Sequence, residues 1–169
     1  MIPHPRSVGA AAFLLLAAAL LLSNCTRRAD LGIERAEVER VVKANIQWAL
    51  TKDLDLLCST VDQSPEFFFF TPDSTGTIQG FSAFEKQTDF FMDDRFQAIR
   101  SEFRDFYIGF SPRGDTAWFH CFLDDINEWD GRPACWWNVR WTGVLVKRPQ
   151  GWKIVQMHFS FPEERFARP

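Results

Sequence analysis

The sequence predicts an α+β domain, with helices in its first half and an antiparallel sheet in its second. Three observations carry that reading. Apolar residues recur at helical spacing between Ile33 and Leu50. Beyond Phe96 the chain turns into long runs rich in aromatic and β-branched residues: Phe96 to Phe110, Thr116 to Glu128, Ala134 to Lys147 and Trp152 to Phe161. Turn-forming clusters separate those runs, among them Asp130-Gly131, a two-residue hairpin signal.

The elements follow in order. Ile33, Glu37, Val41, Ala44 and Trp48 stand three or four residues apart, and Val38, Val42, Ile46 and Ala49 widen the stripe. This predicts a helix over 33–50, with Asp30 as its N-cap. Asp53 caps a second short helix to Val61, closed by the turn at 62–65. Phe67 to Thr71 places four aromatics in a row without alternation, the pattern of a strand covered on both faces. Residues 72–76 form a turn, and Ile78 to Gly80 a very short strand. Ser82 followed by Glu85 makes a capping box for a helix to about Asp94, with Phe84, Thr88 and Phe91 as its stripe. The four long strands complete the order α-α-β-β-α-β-β-β-β.

The N-terminus reads as an address. Met1 to Ser7 carries one Arg and no acid, and Val8 to Leu22 is uncharged and rich in Ala and Leu. That run has the length of a secretory h-region and is shorter than the roughly 20 residues of a membrane span. It ends in Leu22-Ser23-Asn24-Cys25, similar to a bacterial lipobox, with Asn24 in place of the usual small residue. Residues 1–24 are read as a lipoprotein-type signal peptide, with Cys25 as the lipid anchor. Residues 25–32 are a polar tether, 33–163 the domain and 164–169 a tail. The expected location is the cell envelope, on the periplasmic face of the outer membrane.

The 169-residue chain has a formal net charge of −3 and no strongly basic stretch, which excludes a nucleic-acid role. Cys58, Cys121 and Cys135 form no CxxC pair and read as buried small side chains, with one disulfide as the alternative. The 18 Phe and 7 Trp against one Tyr supply apolar area with few polar handles. Such a composition fits a large core, an apolar pocket, a buried subunit contact, or a mixture.

Register assigns the faces. Pro149, Gln150 and Gly151 read as a three-residue hairpin loop that pairs Arg148 with Trp152. Counting back sets Thr142 opposite His158 and Arg140 opposite Ser160. One face then holds Arg140, Thr142, Val144 and Val146 beside Trp152, Ile154, Gln156, His158 and Ser160. Phe119, Cys121, Leu123 and Asp125 join it across the Asp130-Gly131 turn. The other face, with Trp137, Val139, Trp141, Leu145, Val155, Met157, Phe159 and Phe161, is nearly all apolar. The expectation is that helices cover the mixed face and leave a cavity there, while the apolar face meets another subunit or more helix.

The helix over 33–50, FFFFTPD from Phe67 to Asp73, Gly80-Phe81, GDTAWFHCFLDD from Gly114 to Asp125, and RWTGVLVKRPQGWKIVQMHFSFP from Arg140 to Pro162 resemble the SnoaL-like branch of the nuclear transport factor 2-like superfamily. The likeness spans roughly residues 33–163. It implies a cone: a curved antiparallel sheet around about three helices, enclosing a cavity, often dimeric through the sheet. The superfamily includes isomerase-, cyclase- and dehydratase-like enzymes, and modules that only bind or assemble, so the resemblance bears on fold more than on function.

Within that frame His158 is the candidate for proton transfer, because an imidazole titrates near neutrality. Its other reading is a neutral core histidine bonded to Thr142 or Ser160. Asp125 is the candidate carboxylate partner, or a solvated strand end. Trp152, Gln156, Ser160, Arg140, Thr142 and Trp48 are the candidate ligand contacts, with Arg140 either an anion contact or an ion-paired strand residue. No metal is expected: His120 and His158 fall on opposite faces in this register. No cofactor is expected either, since no phosphate-cradling glycine loop appears. The leading reading is an envelope lipoprotein that binds a small, mainly apolar molecule. Its rivals are a proton-transfer enzyme using His158 and Asp125, and a non-catalytic homodimeric interaction module.

Overall fold

The structure, a computed structural model, describes residues 31–73 and 76–162. The signal segment, Cys25, most of the tether, the Asp30 cap, Ser74 and Thr75 of one turn, and the tail lie outside the described residues. The chain divides into two units, Met1–Ala36 and Glu37–Pro169. Of the first, residues 31–36 are helical, so helix begins within the stretch read as tether. All that follows concerns the second.

In this unit helix α1 covers residues 37–47 and ends in a 3-10 turn, Trp48–Leu50. Its buried stripe is Val38, Val41, Val42, Asn45 and Trp48, the i, i+3, i+4, i+7 pattern of a helix packed on one side. Helix α2 (Leu54–Thr60) begins at Asp53, whose side chain accepts from the Leu56 amide, the capping the sequence predicts. Strands β1 (Phe68–Phe70) and β2 (Thr77–Gln79) follow. The single helix expected to Asp94 is two short ones, α3 (Phe81–Glu85) and α4 (Thr88–Met92). Its cap is Gly80 rather than Ser82, because the chain enters at φ +80°, which a glycine adopts without strain. The long strands are β3 (Phe96–Phe110), β4 (Thr116–Trp129), β6 (Trp136–Arg148) and β7 (Gly151–Ser160), with the short β5 (Arg132–Pro133) between β4 and β6.

The sheet runs β2-β1-β7-β6-β4-β3. It is mixed rather than wholly antiparallel, because β1 runs parallel to β7. Four register shifts curve it: at Ala98/Arg100 and Arg104/Tyr107 in β3, between Leu123 and Asp125 opposite β6, and between Val144 and Leu145 opposite β7. An extra residue in one strand bends that strand and raises local twist. The result is the α+β cone the resemblance implies, with α1 to α4 on its concave side.

The β7 irregularity corrects the predicted register. The hairpin loop has two residues, Pro149 and Gln150, so Arg148 pairs with Gly151 and Lys147 with Trp152. Val155 is then the extra residue, and past it Thr142 faces His158 and Arg140 faces Ser160, as predicted. The pairs are right, but the faces are not. One added residue exchanges the side chains beyond it between faces. Trp152 and Ile154 point inward, and so do Met157 and Phe159. Gln156, His158 and Ser160 therefore point outward. In β6, Val139, Trp141 and Leu145 are buried, while Arg140 and Thr142 are exposed. The helices thus cover the nearly all-apolar face, which gains about 1.5–3 kcal/mol per large aliphatic or Phe side chain removed from water.

Trp141 is the hub of this core. It stacks on Phe159 at 5.0 Å and meets Phe119 edge-on at 4.9 Å. Gly143 is required beside it: a Cβ there would stand 2.6 Å from the Phe119 ring and 2.7 Å from the Gln156 carbonyl oxygen.

Candidate functional site

A cavity of about 520 Å³ lies between the helices and the sheet, within the size range of small-molecule sites. Each wall is set by a local feature already described. The 3-10 turn closing α1 brings in Trp48 and Ala49, while β1 brings Phe69. The two short helices α3 and α4 bring Phe84, Thr88, Phe90 and Phe91, and β7 brings Met157 and Phe159. The rings interlock edge to face, Trp48 with Phe91 at 5.9 Å, Phe91 with Phe96 at 5.1 Å, and Phe69 with Phe159 at 5.5 Å, the geometry aromatic quadrupoles favour. At the rim, exposed Phe90 stacks flat on Trp129 at 4.7 Å, and the Arg95 guanidinium caps Trp129 at 4.7 Å.

Strand β4 supplies the polar end. Its inner row runs Ala117, Phe119, Cys121, Leu123, then changes chemistry to Asp125 and Asn127. Asn127 Nδ2 donates to Asp125 Oδ2 at 2.8 Å. Asn127 is 5% exposed, and its Oδ1 has no hydrogen-bond partner. Cys135, in the link before β6, donates its thiol to the Asn127 carbonyl at 3.4 Å. The other buried amide in the wall is satisfied: Asn45 Nδ2 donates to Thr60 Oγ1 at 2.8 Å, and Thr60 Oγ1 donates to the Leu57 carbonyl at 2.6 Å. That chain ties α1 to α2 and is structural.

Burial pushes the Asp125 carboxyl above its ordinary value of 3.8, against the smaller opposing effect of the Asn127 hydrogen bond. Asp125 therefore holds its proton more tightly folded than unfolded. Its contribution to stability is favourable below the unfolded value and is lost as pH rises through the folded one. Asp125→Asn should thus melt higher than wild type at pH 7, with the gap closing below pH 3.8. Thermal scans across pH would check this, and a variant that melts lower at pH 7 would contradict it.

Of the predicted site residues, the cavity brings together Asp125 and Trp48. Trp152 is buried elsewhere in the core, edge-on to Phe110 at 5.9 Å. His158, Gln156, Ser160, Thr142 and Arg140 stand on the outer face, so the expected His158–Asp125 pair does not form. His158 packs on Phe70 at 5.5 Å. Arg140 donates to the Phe161 carbonyl at 2.7 Å and so ties down the end of β7. His120 and His158 share the outer face instead of opposing each other: both pair with Thr142, and His120 stacks on Tyr107 at 5.1 Å. Cys58, Cys121 and Cys135 are free thiols, and burial pushes Cys121 up to about 12. Sequence reasoning missed Asn127, Cys135 and the Phe90–Phe91–Phe96 wall. The switch from an apolar alternating row to Asp125 and Asn127 was the signal that could have found the polar end.

The comparisons with known proteins fit this architecture. A family model described as a SnoaL-like domain matches residues 38–164. No curated protein matches the chain. An NTF2-like protein with a cystatin-like fold from Novosphingobium aromaticivorans superposes with a TM-score of 0.67 at 16% identity, covering 86% of this chain and 93% of that one. An NTF2-like superfamily protein from Salmonella enterica serovar Typhimurium gives 0.66 at 21% identity, covering 82% and 97%. A candidate dehydratase of the NTF2-like family from Streptomyces avermitilis gives 0.62 at 18% identity, covering 76% and 95%. At these identities the likeness concerns the fold.

Proposed function

We propose, from the premise that this chain belongs to the SnoaL-like domain family, that it is an envelope lipoprotein whose cone cavity binds a small, mainly apolar molecule with one polar group. The observation that carries this is the cavity itself, about 520 Å³ walled by aromatic rings, with Asp125 and Asn127 side by side among its few polar residues. Apolar walls supply affinity and a few placed polar atoms fix orientation. The address rests on Val8 to Leu22 and the Leu22-Ser23-Asn24-Cys25 sequence. Purified protein exposed to membrane and metabolite extracts should retain a molecule that mass spectrometry detects after denaturation. Ala49→Phe, which fills the cavity, should abolish retention. Wild type that retains nothing would sink the binding function. Cys25→Ser should abolish incorporation of labelled fatty acid, and unchanged labelling would sink the address.

A second reading, proton transfer, is favoured by the raised Asp125 carboxyl and by the candidate dehydratase among the structural neighbours. Asp125 would act without His158, which is on the other side of the sheet. An NMR titration of Asp125 with a midpoint at or below 3.8 would end that reading.

A homodimer belongs to the same proposal, through the outer sheet face. There Tyr107, His120, Thr142, His158 and Phe70 form one row across β3, β4, β6, β7 and β1, with Trp118 44% exposed on the same face. An isologous two-fold contact lets one such patch cover its own copy. Sedimentation equilibrium should show a dimer, and Trp118→Glu a monomer.

A further inference from the structure

The polar end of the cavity has a definite hydrogen-bonding character. Among the described residues that line the cavity, Asp125 is the only charged side chain, and none is a Lys or Arg. Among the described residues it has no ion-pair partner, and its one side-chain hydrogen bond comes from Asn127. Asn127 Oδ1 is buried without a donor. A buried acceptor left unpaired costs about 1–3 kcal/mol, so this end is short of donors, and the Asp125 carboxylate has a single one, from Asn127. The nearby thiol, Cys135 Sγ, is already spent on the Asn127 backbone carbonyl. Trp48, Phe91, Phe96 and Trp136 line the same cavity, and ring faces attract cations.

Resting on the cavity-binding reading, we propose that the ligand is an organic amine in its protonated form, with its ammonium group at Asp125 and Asn127 and its apolar body against the aromatic wall. An ammonium supplies what this end lacks: further N–H donors for Asp125, and a positive charge beside an otherwise uncompensated carboxylate. An anionic head group would meet an acceptor of like charge. A plain hydrocarbon would leave the carboxylate with the Asn127 bond alone and without a counter-charge.

Three probes of nearly equal size separate these cases: 2-phenylethylammonium, n-propylbenzene as its uncharged counterpart, and 3-phenylpropanoate. Binding to the full chain is read from the indole N–H signals of Trp48 and Trp136, which line the cavity. The ammonium should bind roughly tenfold or more tighter than n-propylbenzene, the scale of a charge-assisted hydrogen bond, and 3-phenylpropanoate weakest. Asp125→Asn should remove most of that preference while n-propylbenzene binds as before, which also shows that the variant is folded. If n-propylbenzene or 3-phenylpropanoate binds as tightly as the ammonium, or if Asp125→Asn keeps the preference, the amine assignment falls and the apolar binding function stands. If no probe moves either indole signal, both fall.

Discussion

Trp141→Ala should cost about 3–5 kcal/mol of folding stability, the range for deleting a fully buried large aromatic. Trp141 is 0% exposed and touches three elements of the core. It stacks on Phe159 of β7 at 5.0 Å, meets Phe119 of β4 edge-on at 4.9 Å, and lies 6.4 Å from the Phe103 ring of β3. These strands close the curve of the sheet, so the deletion removes the ring that joins them and leaves a cavity. Set against a typical total of about 5–15 kcal/mol, such a loss brings the domain close to unfolding at 37 °C. Trp141→Phe isolates one part of the effect. The Trp141 Nε1 proton is buried without an acceptor, so Phe removes an unsatisfied donor while keeping most of the ring contact. It should cost much less than Ala. Urea unfolding of the three proteins gives the comparison. A Phe variant as unstable as the Ala variant would mean that ring volume alone, and not the orphaned donor, decides the result.

The same strand shows why the fold was legible in the sequence while the site was only half so. The α+β order, the long strands, the Asp53 cap and the Asp130-Gly131 turn are local signals, and each matches the structure. Asp130 and Gly131 take positive φ of 52° and 71°, the turn chemistry that dipeptide encodes. Face assignment is not local. It depends on the count of residues between a turn and a side chain, and the extra residue Val155 changes that count without a compositional mark. His158 therefore fell on the wrong face although its partner Thr142 was correctly found. The burial rule points the other way and was available: Val139, Trp141, Leu145, Met157 and Phe159 form an unbroken apolar face, and the helices had more to gain there. Asp125 does line the cavity, but the predicted sharing of a face by Phe119, Cys121, Leu123 and Asp125 with Arg140 is corrected: Phe122, not Cys121, pairs with Arg140, so the β4 row lies on the inner face with Val139 and Trp141. The split of the third helix into α3 and α4 was not readable, since Phe84, Thr88 and Phe91 keep helical spacing across the break. What decides it is where Phe84, Phe90 and Phe91 find aromatic partners, with Phe67, Trp129 and Phe96 respectively.

Asp124→Ala should reshape the cavity from outside it. Asp124 Oδ1 accepts the Asn138 backbone amide at 2.6 Å, and Arg104 Nη2 of β3 donates to the same carboxylate at 2.9 Å. One side chain thus joins β3, β4 and β6 at the point where the pairing slips between Leu123–Val139 and Asp125–Trp136. Asn138 sits there at φ +54°, a left-handed conformation unusual outside glycine. The extra residue turns Trp137 to the surface and lets Trp136 reach the cavity wall, edge-on to Phe159 at 5.7 Å. Without Asp124 the Asn138 amide loses its acceptor and the left-handed residue loses what holds it. The Asn138 bond alone is worth about 1.5–3 kcal/mol, as a bond to a charged group. The Arg104 pair adds little, because Arg104 is half exposed. The larger effect is on function: Trp136 should leave the wall, and a ligand held against it should bind at least several-fold more weakly. Asn138→Gly makes the complementary test, since glycine takes a positive φ freely. In the Asp124→Ala background it should recover part of the stability and return the Trp136 indole signal to its wild-type position. If Asp124→Ala leaves both that signal and the melting temperature unchanged, the slip is held by the strand pairing alone, and the carboxylate is a surface residue without structural consequence.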